Sequence, residues 1–118
     1  MSDFRKLSVY NKSLDLVEII YQTCDKYPKE EQFVLVSQLK RAANSICLNI
    51  AEGSGRHHSK DFIQFIRIAI GSALELSALF DISLRLNFIS KNDYNTLSQK
   101  CDEIGKMLSG LINSLTKN

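Results

Sequence analysis

Apolar residues recur along the chain at alternating steps of three and four, the period of a helix that turns one face to a core. Four such stripes follow one another. Tyr10, Leu14, Val17, Tyr21 and Cys24 form the first, with Asn11, Lys12, Asp15, Glu18, Gln22 and Asp25 on the solvated side. Ser8 is placed to cap this helix, and Pro28 stops it because its ring cannot continue the ladder. Val36, Leu39, Ala43, Ile46 and Ile50 form the second stripe, after an acidic start at Glu30 and Glu31 that suits the unsatisfied amides of a helix N-terminus. Gly53 and Gly55 are expected to end it in the left-handed conformation, leaving a turn from Gly53 to His58. Phe62, Ile66, Ala69, Ala73, Leu76 and Phe80 make the third stripe, capped by Ser59, running to about Leu86 and closed by a left-handed Asn87. Leu97, Cys101, Ile104, Leu108, Leu111 and Leu115 make the fourth, with Ser90 and Asp93 in the positions of a capping box. Short connections between long helices make neighbours antiparallel, so the expected fold is all-α: an up-down-up-down four-helix bundle, with residues 1–118 as one domain.

The second and third helices carry more apolar residues than one core face can hold. Phe33, Val34 and Leu48 lie off the second stripe, and Ile68, Ile70, Leu74, Ile82 and Leu84 lie off the third. A helix that is apolar nearly all round is covered on both sides, and a four-helix bundle has a single interior. Another copy of the chain is the simplest cover, which predicts a homo-oligomer.

Polar residues sit among these apolar ones: Asn44, Ser45, Asn49, Glu52, Ser72 and Glu75. One reading is a network that fixes register, in which Gly71, Ser72 and Ala73 permit close helix contact and Arg41 or Arg67 neutralises buried carboxylates. The sharper reading is a catalytic or ligand pocket, but the constellations that chemistry requires are missing. No Glu-x-x-His pair for a di-metal bundle occurs, and Gly53-Ser54-Gly55 lacks the Lys-Ser/Thr of a phosphate-binding loop. His57 and His58 are adjacent in a basic turn, with no nucleophile held beside them. The expectation is no enzyme, no cofactor and no metal.

Composition changes this picture little. The apolar fraction of 44% with 24% charged residues and a single proline is that of an ordinary globular domain. No uncharged apolar run approaches the roughly 20 residues of a membrane span, and the N-terminus lacks the apolar core of a signal peptide. Cys24, Cys47 and Cys101 are odd in number and widely spaced, which suits small buried hydrophobes in a reducing compartment. A cytoplasmic protein without a membrane partner is expected.

Charge is more informative in its distribution than in its total of +2. Lys40, Arg41, Arg56, Lys60 and Arg67 outnumber Glu52 and Asp61 between residues 40 and 67, while the rest of the chain is slightly acidic. The turn Arg56-His57-His58-Ser59-Lys60 joins cationic side chains to the amide-rich start of the third helix, where phosphate binds well. A solvated basic turn is the plainer reading. An oligomer that presents several such turns on one rim would turn sparse charges into a ring. Aromatic residues are few, so base stacking is not indicated.

Tyr27-Pro28-x-x-Glu31, Gln38-Leu39-x-Arg41-Ala42-Ala43, Ser45-Ile46, Asn49-Ile50-Ala51-Glu52-Gly53 and Gly71-Ser72-x-x-Glu75 together resemble the ribosomal-protein-like bacterial four-helix bundles encoded in 23S rRNA intervening sequences. The resemblance covers nearly the whole chain. It implies a homo-oligomer, a pentamer, with a nucleic-acid-related role and no catalysis. Relatives of that family include the accessory protein of diversity-generating retroelements, a strongly basic pentameric barrel that binds nucleic acid and a reverse transcriptase. This chain is only mildly basic, which favours the intervening-sequence role over the retroelement one.

These readings converge on a nucleic-acid-backbone binder, for RNA or DNA, acting through Arg56, His57, His58 and Lys60 with Lys40, Arg41 and Arg67. Asn49, Glu52, Ser72 and Glu75 are assigned to the structural polar network. The competing reading is an assembly or protein-partner module, or an accessory to a reverse transcriptase, in which the charges serve solubility and pairing between subunits.

Overall fold

The computed structural model describes residues 3–117. Four α-helices account for most of them: α1 (Ser8–Cys24), α2 (Leu35–Ser54), α3 (Ser59–Arg85) and α4 (Lys91–Thr116). Short 3₁₀ turns precede α1 at Phe4–Lys6 and α2 at Lys29–Glu31. Each helix packs against its two neighbours around a ring, and α4 closes the ring against α1. The result is the expected antiparallel four-helix bundle, a rod of 46 × 22 × 20 Å.

The stripes of α2, α3 and α4 are the core. Val36, Leu39, Ala43, Ile46 and Ile50 are all buried, as are Ile66, Ala69, Ala73, Leu76 and Phe80 of α3. On α4, Leu97, Cys101, Ile104 and Leu108 are buried, with Leu111 and Leu115 packed at the edge.

α1 turns a different face inward. Its buried residues are Val9, Ser13, Leu16, Ile20, Thr23 and Cys24, so the expected stripe is rotated by about one residue, some 100°. Leu14 and Tyr21 are 43% and 39% exposed, and Tyr10 and Val17 lie at the flank. Two hydroxyls explain the difference. Ser13 Oγ donates to the Val9 carbonyl at 2.7 Å and Thr23 Oγ1 to the Ile19 carbonyl at 2.8 Å. Each is satisfied within its own helix and enters the core without an unpaired donor.

The helix ends depart from expectation in several places. Ser8 and Ser59 are the first helical residues rather than caps; Leu7 and His58 occupy the cap positions without a side-chain bond. α2 does not begin at Glu30, because the chain makes a 3₁₀ turn there and becomes helical only at Leu35. No glycine takes positive φ. Gly55 closes α2 with right-handed geometry, φ −84° and ψ −1°, its amide donating back to the carbonyls of Glu52 and Gly53.

Two expected ends hold. Asn87 is left-handed at φ 64°, its amide donating to the Leu84 carbonyl and the Phe88 amide to the Ser83 carbonyl, the two bonds of a Schellman motif. Ser90 Oγ accepts from the Asp93 amide at 3.0 Å. The Asp93 carboxylate is held by Lys26 Nζ at 3.1 Å, which ties the start of α4 to the end of α1.

Gly53 serves close approach instead of termination. A Cβ built on it would stand 2.6 Å from Phe65 Cβ and 2.8 Å from Phe62 Cδ1. At the opposite end of the rod the buried Tyr27 hydroxyl donates to Ser83 Oγ at 2.6 Å, and its ring leans on Phe88 at 5.6 Å. These contacts join α2 to α3 at one end and the α1–α2 connection to α3 at the other.

By length and composition α3 passes the test for a membrane span, with a mean hydropathy of 1.5 in its most apolar window. Arg67 and Glu75 interrupt it, and its buried stripe fills the bundle core.

The glycine geometry predicts opposite signs at two helical positions. Gly53→Ala should destabilise the fold by about 1–3 kcal/mol, because overpacking against Phe65 outweighs the helix propensity gained. Gly105→Ala, where a Cβ meets nothing within 4 Å, should stabilise it by about 0.5–1 kcal/mol. Urea unfolding followed by circular dichroism measures both. A second expectation concerns pH. Burial pushes the Cys24 and Cys47 thiols up to about 11 and raises the pKa of the Cys101 thiol and of the Tyr27 phenol. The unfolded chain loses these protons first, so the stability these four groups contribute should be constant below about pH 8 and fall as the pH rises from about 9 towards 11. The urea midpoint across that range is the readout.

Candidate nucleic-acid interface and polar cluster

The connection between α2 and α3 lifts residues 55–61 into solvent, and Gly55, Arg56, His57, His58, Ser59, Lys60 and Asp61 are all exposed. Gly53 makes this tip tight, since the close approach of α2 to Phe62 and Phe65 leaves four residues, 55–58, to reverse the chain. The first amides of α3 open beside the basic side chains, with Asp61 in the first turn.

Arg56 is the most constrained of the cations. Its guanidinium lies 3.7 Å from Glu52 and stacks over the Phe65 ring at 4.7 Å from the centroid. Both partners are at the surface, so the ion pair is worth little by itself, yet together they hold the arginine at the rim. Lys60 forms no ion pair within 4.0 Å among the described residues.

The other expected cations lie elsewhere. Arg67 sits two turns along α3. Lys40 is in the second turn of α2 on its α1 side, with Nζ 4.6 Å from the Tyr21 ring centroid. Arg41 is exposed on the outer face of α2, about 20 Å along the helix from the turn at 1.5 Å per residue. The seven residues expected to contact nucleic acid therefore form one cluster, Arg56, His57, His58 and Lys60, and three separate positions.

The antiparallel topology brings further cations to the same end. The start of α1 and the end of α4 lie there, which places Arg5, Lys6 and Lys117 at the same end of the bundle as the α2–α3 turn. The 3₁₀ turn Phe4–Lys6 packs against both α1 and α2. Arg5 is held by Asp3 at 3.6 Å and stacks on Phe4. The opposite end carries Asp25, Glu30, Glu31, Asp81 and Asp93 beside Lys26, Lys29, Arg85 and Lys91. A charge count along the chain misses this convergence; combining it with the helix order recovers it.

The polar residues of α2 and α3 divide into three places. Asn49 donates to the Ser45 carbonyl at 2.8 Å and to Ser45 Oγ at 3.0 Å, and Ser72 Oγ donates to Ser45 Oγ at 2.9 Å. This small cluster joins the two helices and sets their register. Asn44 turns to α1 and donates to the Tyr21 hydroxyl at 3.0 Å. Glu52 and Glu75 stand outside the cluster on the surface, so neither is a buried charge in need of a partner.

No buried side-chain nitrogen or oxygen among the described residues lacks a hydrogen-bond partner. No group of three or more His, Cys, Asp or Glu side chains among the described residues is placed to hold a metal ion. The groove between α3 and α4, about 530 Å³ beside Ile70, Leu74, Cys101 and Gly105, is open to solvent. The arrangement offers cations and amides at one end and helix surface along the sides.

The sequence profile of the 23S rRNA-intervening sequence proteins matches residues 5–110. Among solved structures, a protein of unknown function from the S23 ribosomal protein family of Bacteroides thetaiotaomicron is similar, with a TM-score of 0.79 and 28% identity. The match covers 88% of this chain and 97% of that one. A search of curated proteins gave no match.

Proposed function

We propose a function from two premises: the chain belongs to the 23S rRNA-intervening sequence protein family, and one end of its bundle gathers exposed cations. On this reading the protein is a non-catalytic, self-associating binder of nucleic-acid backbone that works in the cytoplasm. RNA is the favoured ligand, given the family.

The observation that carries the reading is the convergence of Lys6, Arg56, His57, His58, Lys60 and Lys117 on the end where α3 presents its first amides. Cations and helix-terminal amides both serve phosphate, and neither reads sequence. The aromatic ring nearest the turn, Phe65, is already covered by Arg56, so base stacking has little to work with. A few cations per chain give weak binding alone. Self-association, a pentamer as the family resemblance implies, would multiply them on one rim.

Binding of a labelled structured RNA, measured at about 50 and 200 mM salt, tests this. Each phosphate contact adds close to one unit to the salt slope. Replacing Lys6 and Lys60 by alanine should weaken binding about tenfold at the lower salt and reduce the slope by about two. Arg56→Ala should have the smaller effect, since Glu52 already draws on its charge. No binding at low salt, or an affinity indifferent to Lys6 and Lys60, would refute the proposal and leave the protein as an assembly module.

A further inference from the structure

Two units of the same build stand at the end of the bundle that carries the α2–α3 turn. Arg56 lies over the Phe65 ring, 4.7 Å from its centroid, with Glu52 Oε1 3.7 Å from the guanidinium. Arg5 lies over the Phe4 ring at 4.5 Å, with Asp3 Oδ1 3.6 Å from the guanidinium. Each unit is an aromatic ring, an arginine on its face and a carboxylate beside the arginine. They come from unrelated stretches of sequence. Asp3, Phe4 and Arg5 are consecutive, whereas Glu52, Arg56 and Phe65 belong to the end of α2, the turn and the start of α3. The 3₁₀ turn of the first unit packs against α2 as well as α1.

The arrangement is not repeated elsewhere among the described residues. The other two ion pairs, Lys12–Glu103 and Lys26–Asp93, use lysine and have no ring beneath the ammonium. Lys40 lies over Tyr21 but has no carboxylate within 4.0 Å. Arginine on a ring beside an acid is thus confined to the end proposed to meet phosphate.

A guanidinium is a planar fork whose edges accept carboxylate and phosphate alike. The ring beneath it holds the plane of the fork in place. The carboxylates occupy these forks loosely. Separations of 3.6 and 3.7 Å exceed the length of an N–H···O hydrogen bond, and the four charged side chains are between 46% and 72% exposed. Ion pairs in such surroundings are weak. A phosphate that reaches full hydrogen-bond distance displaces them, and an arginine already seated on its ring needs little reordering to receive it.

We propose that Glu52 and Asp3 hold Arg56 and Arg5 in a latent state, and that a phosphate of the bound nucleic acid takes the place of each carboxylate on the guanidinium. The inference rests on the backbone-binding function put forward above, adds Arg5 to that site and gives it two acidic brakes.

The affinity of the full chain and its variants for a labelled RNA duplex at about 50 mM salt tests it, with circular dichroism as the check on folding. Glu52→Gln and Asp3→Asn keep the shape of each side chain. Asparagine also caps as well as aspartate, so the bond that Asp3 accepts from the Arg5 amide at 3.0 Å survives. Each substitution should tighten binding roughly threefold, and the two together roughly tenfold. In an Arg56→Gln chain the gain from Glu52→Gln should vanish, as should the gain from Asp3→Asn in an Arg5→Gln chain. Gains that persist without the arginines would show that the acids act only as stray charge, and would overturn the exchange. Glu52→Gln and Asp3→Asn chains that bind no tighter than the wild type overturn it too, while backbone binding stands. Failure of the wild type and every variant to bind at this salt overturns the backbone-binding function itself.

Discussion

Gly53 lets α2 and α3 meet at a distance that no side chain there would permit, with 2.6 Å between the position of its absent Cβ and Phe65 Cβ. That contact fixes where the chain reverses. Once α2 and α3 are clamped at Gly53 and registered by the Ser45–Ser72 bond, residues 55–61 must project as a tight tip. The outer faces of the two helices must also lie side by side. The placing of the basic tip and of the two outer helix faces thus depends on one close approach between two helices.

The two surfaces divide the charge of the protein between them. The end of the bundle collects cations from three separate parts of the sequence: the N-terminal 3₁₀ turn, the α2–α3 connection and the end of α4. The outer faces of α2 and α3 carry both signs, Arg41 and Glu75, among apolar residues. A net charge of +2 conceals this, because the two regions differ in sign pattern more than in amount.

Much of the fold was legible in the sequence because the apolar rows of α2, α3 and α4, at steps of three and four, are the rows they bury, with Ser54, Ser72 and Ser83 as buried polar additions. α1 was misread by one residue, because its buried row contains Ser13 and Thr23. Their hydroxyls bond to their own backbone, so a polar letter there carries no exposure. The helix ends were harder. Ser8 and Ser59 sit one position inside their helices, and Gly53 reads as a terminator when its role is contact. Of the polar network, the Asn49–Ser72 connection runs through Ser45, whereas Glu52 and Glu75 reach the surface. The two-sided character of α2 and α3 was visible in composition, but which apolar residues stay outside depends on the exact facing of each helix. The cations at residues 5, 6 and 117 were invisible to a local charge count because only the topology brings them to residue 56.

The claim that one end of the bundle engages nucleic-acid backbone is tested most directly by mapping the contact residue by residue. Amide chemical shifts of isotopically labelled protein, followed as a short RNA duplex is added, would do so. The account predicts perturbations at residues 4–6 and 55–61, with those at 25–31 and 81–93 unchanged. Perturbations centred on the far end, or none at saturating RNA, would contradict it.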